Sequence, residues 1–125
     1  MDTERRFLPE GGSAGAARVF AVSAVADDPG ISDCVALLVS ELASNAILHA
    51  RTAFSVRIDA RDDRVRVEVG DADPTLPYRK FYASDAVTGR GLAIVEGFAD
   101  RWGAEPTGTG KIVWFEIDLP MSDGR

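Results

Sequence analysis

The sequence predicts a two-layer α/β sandwich, with an antiparallel-dominated mixed sheet, one sheet face open and about three helices on the other. Three observations predict it. An apolar run from near Ser32 past Ala50 has helical period and no Gly or Pro. Two segments, Phe54 to Ile58 and Val65 to Val69, switch to period two with one wet face each. A closing segment from Lys111 to Leu119 alternates again.

The elements follow in order. Arg5 to Pro9 reads as a short edge strand, and Glu10-Gly11-Gly12-Ser13 as a turn whose Ser13 caps a first helix. That helix, Ala14 to Val25, spaces Ala17, Phe20, Ala21 and Ala24 on one face, and Asp27-Asp28-Pro29-Gly30 ends it. Ser32 or Asp33 caps the long helix, whose apolar stripe is Val35, Leu38, Val39, Leu42 and Ala46. Arg61-Asp62-Asp63 turns the next two strands into an antiparallel hairpin. Gly70 to Gly91 is irregular and longer than an ordinary connection, which suggests function. Leu92 to Trp102 is helical with Gly103 as its C-cap, and Thr107-Gly108-Thr109-Gly110 is a hairpin turn. Residues 1–120 form one domain, and 121–125 a disordered tail.

Composition limits the functions. The 125 residues suit a single domain that buries a real core. A net charge of −6 with scattered Lys and Arg argues against a nucleic-acid or anionic-membrane surface. The single cysteine, Cys34, makes no intramolecular disulfide, and Met1 to Arg6 leads into no apolar signal core. No stretch reaches about 18 unbroken apolar residues. The reading is a cytoplasmic protein with a small ligand or a protein partner.

Within the long helix, Glu41, Asn45 and His49 recur every four residues and, at roughly 100° per residue, share one slowly drifting stripe at the edge of the apolar face. A mid-helix Asn among apolar neighbours needs a partner, although an exposed-face Asn is the plain alternative. Its amide oxygen suits Mg²⁺, which also keeps waters and takes phosphate oxygens. His49 reads first as a helix C-terminal residue favoured by the dipole, and alternatively as bordering a nucleotide. Asp71, otherwise a turn residue, follows a strand. Gly89 and Gly91 stand at a helix start, where backbone N–H groups approach phosphate. Trp102, Trp114 and Phe115 read as packing residues, and Lys111 as a surface residue.

Four features recur in one order: Glu41-Leu42-Ala43-Ser44-Asn45-Ala46, Val67-Glu68-Val69-Gly70-Asp71, Gly89-Arg90-Gly91-Leu92-Ala93-Ile94-Val95, and Gly110-Lys111-Ile112-Val113-Trp114-Phe115. Together they resemble the N box and glycine boxes of the GHKL (histidine kinase-like) ATPase superfamily, and most of all the small actinobacterial proteins related to anti-sigma-factor serine/threonine kinases of the RsbW type. The resemblance implies the Bergerat ATPase fold, with ATP and Mg²⁺ as cofactors. Carried over by residue, it makes Glu41 the general base toward the hydroxyl or water that attacks the γ-phosphate, and Asn45 the Mg²⁺ ligand. Asp71 becomes the acceptor for the adenine amino group, and Gly89, Arg90, Gly91 and Leu92 the phosphate-side contacts. ATP would lie between the long helix and the Gly89–Gly91 helix, under a lid from Asp73 to Thr88.

Two departures stand out. Asp71-Ala72-Asp73-Pro74 lacks the glycines of Asp-x-Gly-x-Gly, and Ile112 replaces a Thr whose hydroxyl could reach the base through water. The implied function is an ATP-binding regulatory kinase that binds a sigma factor and phosphorylates a small antagonist protein, with no direct nucleic acid and no membrane; a homodimer is open. Two other readings are a nucleotide-binding module of weak or no activity that sequesters a protein partner, which the altered first glycine box favours, and a stand-alone ATPase. The intact Glu41 and Asn45 favour the kinase.

Overall fold

The computed structural model describes residues 2–25, 28–74, 95 and 97–120. Strands β1 (Asp2–Phe7), β2 (Phe54–Ala60), β3 (Arg64–Asp71), β4 (Arg101–Pro106) and β5 (Lys111–Asp118) form one sheet in the order β1-β2-β3-β5-β4. Every pairing among them is antiparallel, so the expected mixed character is absent from the described strands. Helices α1 (Ser13–Ser23) and α2 (Pro29–Asn45) pack against each other and on one sheet face.

The alternation in the strands decides which face is dry. Phe54, Val56, Ile58, Val65, Val67, Val69, Val113, Phe115 and Ile117 all point to the helices and are buried. They meet Ala17 and Ala21 of α1 and Val35, Leu38, Val39, Leu42, Ala43 and Ala46 of the second helix. Each large apolar side chain so buried contributes roughly 1.5–3 kcal/mol. The small alanines of α1 let the two helices approach closely while still covering the sheet.

The second helix starts earlier than its apolar pattern suggests. Asp28 is the N-cap, its carboxylate accepting from the Ile31 N–H at 3.2 Å, and Pro29 sits at the first helical position, where its missing N–H costs nothing. Pro29-Gly30 therefore opens this helix, and Ser32 turns its hydroxyl back to the Pro29 carbonyl at 3.1 Å. For α1 the N-cap is Gly12, with no side-chain cap; Ser13 lies inside the helix and is buried. After Asn45 the helix widens into a π-helical segment, Ala46–Ala50, closed by Arg51 N–H donating to the Ala46 carbonyl at 2.8 Å. Arg51 itself has φ 58°, a left-handed conformation. Together Pro29–Ala50 is 22 residues, long and apolar enough to cross a bilayer by length and composition alone, although Ser40, Glu41, Ser44, Asn45 and His49 break its apolar run. Its apolar stripe is instead committed to the sheet and to α1.

The third helix ends sooner than expected. Val95, Gly97 and Phe98 are helical, and Ala99 N–H donates to the Val95 carbonyl at 2.9 Å. By Asp100 the backbone donates to Glu116 of β5, and Arg101–Pro106 is strand β4. Trp102 and Gly103 are thus strand residues. Pairing along β5 outweighs the helical spacing there. Gly103 is needed for a different reason than capping: a Cβ on it would stand 2.9 Å from the Trp114 indole, which lies over it. The turn at Thr107–Gly110 is as expected, with Thr107 N–H donating to the Gly110 carbonyl.

Candidate functional site

The sheet register gathers one end of the molecule. Phe7, Phe54, Asp71, Lys111 and Pro106 pair in a single row across all five strands. Phe7 and Phe54 stack at 5.4 Å between centroids and close the β1 side of that row. Asp71 and Lys111, in phase with Val69 and Val113, point to the helix side. The second helix ends at the same place, because Ala50 to Ala53 connects it to the start of β2. Thr52 ties the two together: its hydroxyl donates to the Ala53 carbonyl at 2.9 Å and accepts from the Ala72 N–H at 3.1 Å. Asn45 and Asp71 therefore sit at one end of the sandwich.

Asp71 ends β3 with its side chain 5% exposed. Lys111 Nζ lies 3.0 Å from Oδ2 and 3.1 Å from Oδ1, and donates also to the Asp73 carbonyl at 3.1 Å. The Asp73 N–H donates to Oδ1 at 2.8 Å, which closes a tight turn without the missing glycines. Lys111, expected at the surface, is buried. Strict alternation with Val113, Phe115 and Ile117 was the signal that could have placed it inward. Ile112 faces the other way, so the side chain opposite Asp71 is Lys111, and a hydroxyl at Ile112 would not look toward Asp71 at all.

Glu41 and Asn45 are half-buried at the edge of the apolar stripe of α2, as their spacing predicts. His49 is half-buried in the last turn of the π-helical segment, the position the dipole reading requires. Gly89, Arg90, Gly91 and Leu92, and the expected lid apart from Asp73 and Pro74, lie outside the described residues. Of the aromatic residues, Phe115 is core and Trp102 packs against it, as expected.

The open face carries a different chemistry. Trp114 lies there with the Arg66 guanidinium 4.2 Å from its ring centroid. Glu116, buried despite facing outward, accepts from Arg101 Nε at 2.8 Å and from Arg66 at 3.0 Å. The Arg101 bond holds its carboxyl below the ordinary 4.5; burial opposes this, and Arg66 reinforces it. Arg101 also holds Asp118 low, and Arg57 does the same for Asp2. Beyond this network the next row, Arg6, Ser55, Gly70 and Ile112, floors a cleft of about 400 Å³ rimmed by Thr107 and Thr109, and Asp71, Ala72 and Lys111 also line it at the strand ends. Glu41 and Asn45 do not line it.

No curated protein sequence matches the chain at a significant level. The profile of the histidine kinase-like ATPase domain matches residues 13–117, from the start of α1 to the end of β5. Such a domain implies binding of ATP and Mg²⁺. The donor set fits both. A carboxylate offers about four lone-pair positions, and Asp71 retains one on Oδ2 for an amino donor. An amide oxygen with waters and phosphate oxygens is a usual surrounding for Mg²⁺, and Asn45 is the residue that would offer it. Five antiparallel strands backed by helices, with the Asn-bearing helix and the strand-ending Asp at one end, are the architecture of that domain, and the chain belongs to the histidine kinase-like ATPase family.

Proposed function

We propose that this chain is an ATP-dependent serine/threonine protein kinase of the anti-sigma-factor, RsbW type, which binds a sigma factor or related regulator and phosphorylates a small antagonist protein. The observation that carries the reading is the placement of Glu41 and Asn45 on one half-buried stripe of α2, at the end of the sheet where Asp71 closes β3. Gly110-Lys111-Ile112-Val113-Trp114-Phe115, part of the resemblance to the small actinobacterial proteins, supports the finer assignment.

In this reading the protein contributes positioning and charge neutralisation. Asn45 holds Mg²⁺, Asp71 accepts from the adenine amino group, and Glu41 takes the proton of the attacking serine hydroxyl. Gly89, Arg90, Gly91 and Leu92 contact the phosphates.

Calorimetric titration with ATP and Mg²⁺, run beside Asn45→Ala and Asp71→Asn, tests it. Asn is chosen at 71 because it leaves Lys111 an acceptor. Magnesium-dependent binding that both variants weaken supports the site, and Glu41→Ala should then keep binding while losing phosphoryl transfer to an antagonist. No binding by the folded wild type overturns the kinase and leaves a module that acts by sequestering a partner.

A further inference from the structure

We infer that Lys111 is a base-reading residue, forming with Asp71 a two-point reader for the Watson–Crick edge of adenine. The inference rests on the nucleotide reading above and deepens it. Three observations carry it: the register sets Lys111 directly across from Asp71 on the helix side, Nζ lies within 3.1 Å of both carboxylate oxygens, and both side chains are almost fully covered.

The hydrogen-bond count decides what the pair can do. The ammonium has three N–H donors, and three oxygens stand within reach: Asp71 Oδ1, Asp71 Oδ2 and the Asp73 carbonyl. Asp71 takes one further donor, the Asp73 N–H, which leaves an acceptor position on Oδ2. Adenine presents an amino donor at C6 and, beside it on the same edge, an acceptor at N1. The amino group fills the position on Oδ2. The ammonium, already held against Oδ2, then exchanges the Asp73 carbonyl for N1. That carbonyl is the one partner of Nζ that belongs to neither Asp71 nor a ligand. Guanine presents a carbonyl at C6 and a protonated N1, the reverse order.

The pair is also fixed in place. A Cβ on Gly110 would fall 1.8 Å from the Asp71 carbonyl oxygen, so the turn before Lys111 abuts the end of β3. The backbone of Lys111 is thereby held against the end of β3.

The test is calorimetric titration of the full chain with Mg·ATP and with Mg·1-deaza-ATP, in which a C–H replaces N1 and the amino group is kept. Wild type should bind the analogue more weakly, by up to about tenfold, because a C–H in place of N1 gives the ammonium no acceptor to take in exchange for the Asp73 carbonyl. Lys111→Met should bring the two affinities together. Lys111→Gln, which keeps a donor for Asp71 on a shorter uncharged stem, should do so too and serves if Met unfolds the chain. Equal binding of both nucleotides by wild type, or an unchanged gap in either folded variant, overturns the role of Lys111 and leaves the nucleotide site standing. Binding of neither nucleotide by wild type overturns the nucleotide reading itself.

Discussion

Lys111 Nζ stands 3.0 Å from Oδ2 of Asp71, with the two side chains 10% and 5% exposed. A buried pair of this kind stabilises little in net terms, but breaking it from one side is costly because a buried charge is stranded. It therefore acts mainly as a constraint. It locks the first strand residue of β5 to the last of β3, at the end of the sheet where α2 finishes.

Gly110→Ala should destabilise the protein by about 2–3 kcal/mol, because its Cβ would meet the backbone of Asp71 and Ala72, and backbone cannot move aside cheaply. Gly108→Ala, two residues earlier with nothing within 4 Å, should stay within about 0.5 kcal/mol of wild type. Urea denaturation of the two variants checks this. Equal midpoints would mean that the turn does not abut β3.

The arginine–carboxylate network on the open face sets an acid limb of stability. Glu116 has its folded pKa below the ordinary 4.5, so the unfolded chain binds the proton more readily. Its contribution is complete above 4.5 and is lost as pH falls through the folded value; Asp118 and Asp2 act in the same sense below 3.8. Glu116→Gln should cost about 2 kcal/mol at neutral pH and flatten the fall of stability on acidification. Denaturation midpoints between about pH 7 and about pH 3 measure both effects, and an unflattened limb would remove Glu116 from the network.

Asp28→Ala should remove the N-cap of α2 and cost about 1 kcal/mol. Asp28→Asn, which keeps an acceptor for the Ile31 N–H, should recover most of it. Thermal denaturation of the pair is sufficient. Similar losses in both would show that the cap bond is not what starts the helix.

Arg51→Gly should be neutral or stabilising, by up to about 1 kcal/mol. Its φ of 58° costs a side-chain-bearing residue roughly that much, and only a long 3.5 Å bond to the Leu48 carbonyl is lost. Loss of stability in this variant would mean that the left-handed turn is not strained.

Much of this molecule was legible in the order of its residues. Val35, Leu38, Val39, Leu42 and Ala46 keep helical spacing, and Phe54 to Ile58, Val65 to Val69 and Val113 to Ile117 alternate, so the buried faces of α2, β2, β3 and β5 could be named before any coordinates. Such periodicity is local and survives because one side of each element must leave water. The stripe of Glu41 and Asn45 follows from the same spacing. Non-local competition was not legible. Arg101 to Gly103 carries a helical pattern yet joins β5, because unpaired strand edges there gain a ladder of hydrogen bonds that no local propensity reports. The π-helical widening after Asn45 and the start at Asp28 were likewise settled by backbone accounting at the helix ends.

By itself, then, the sequence determined the sandwich, its core faces and the residues that make a histidine kinase-like site conceivable, since these rest on patterns within single elements. Only the tertiary structure decided that Lys111 meets Asp71 and that Ile112 does not, and that a cleft gathers Gly70 and Ile112 with the ends of the two strands. Those facts depend on strand register. Register is set by pairing between segments 40 residues apart, where a shift of one place would reverse every side chain.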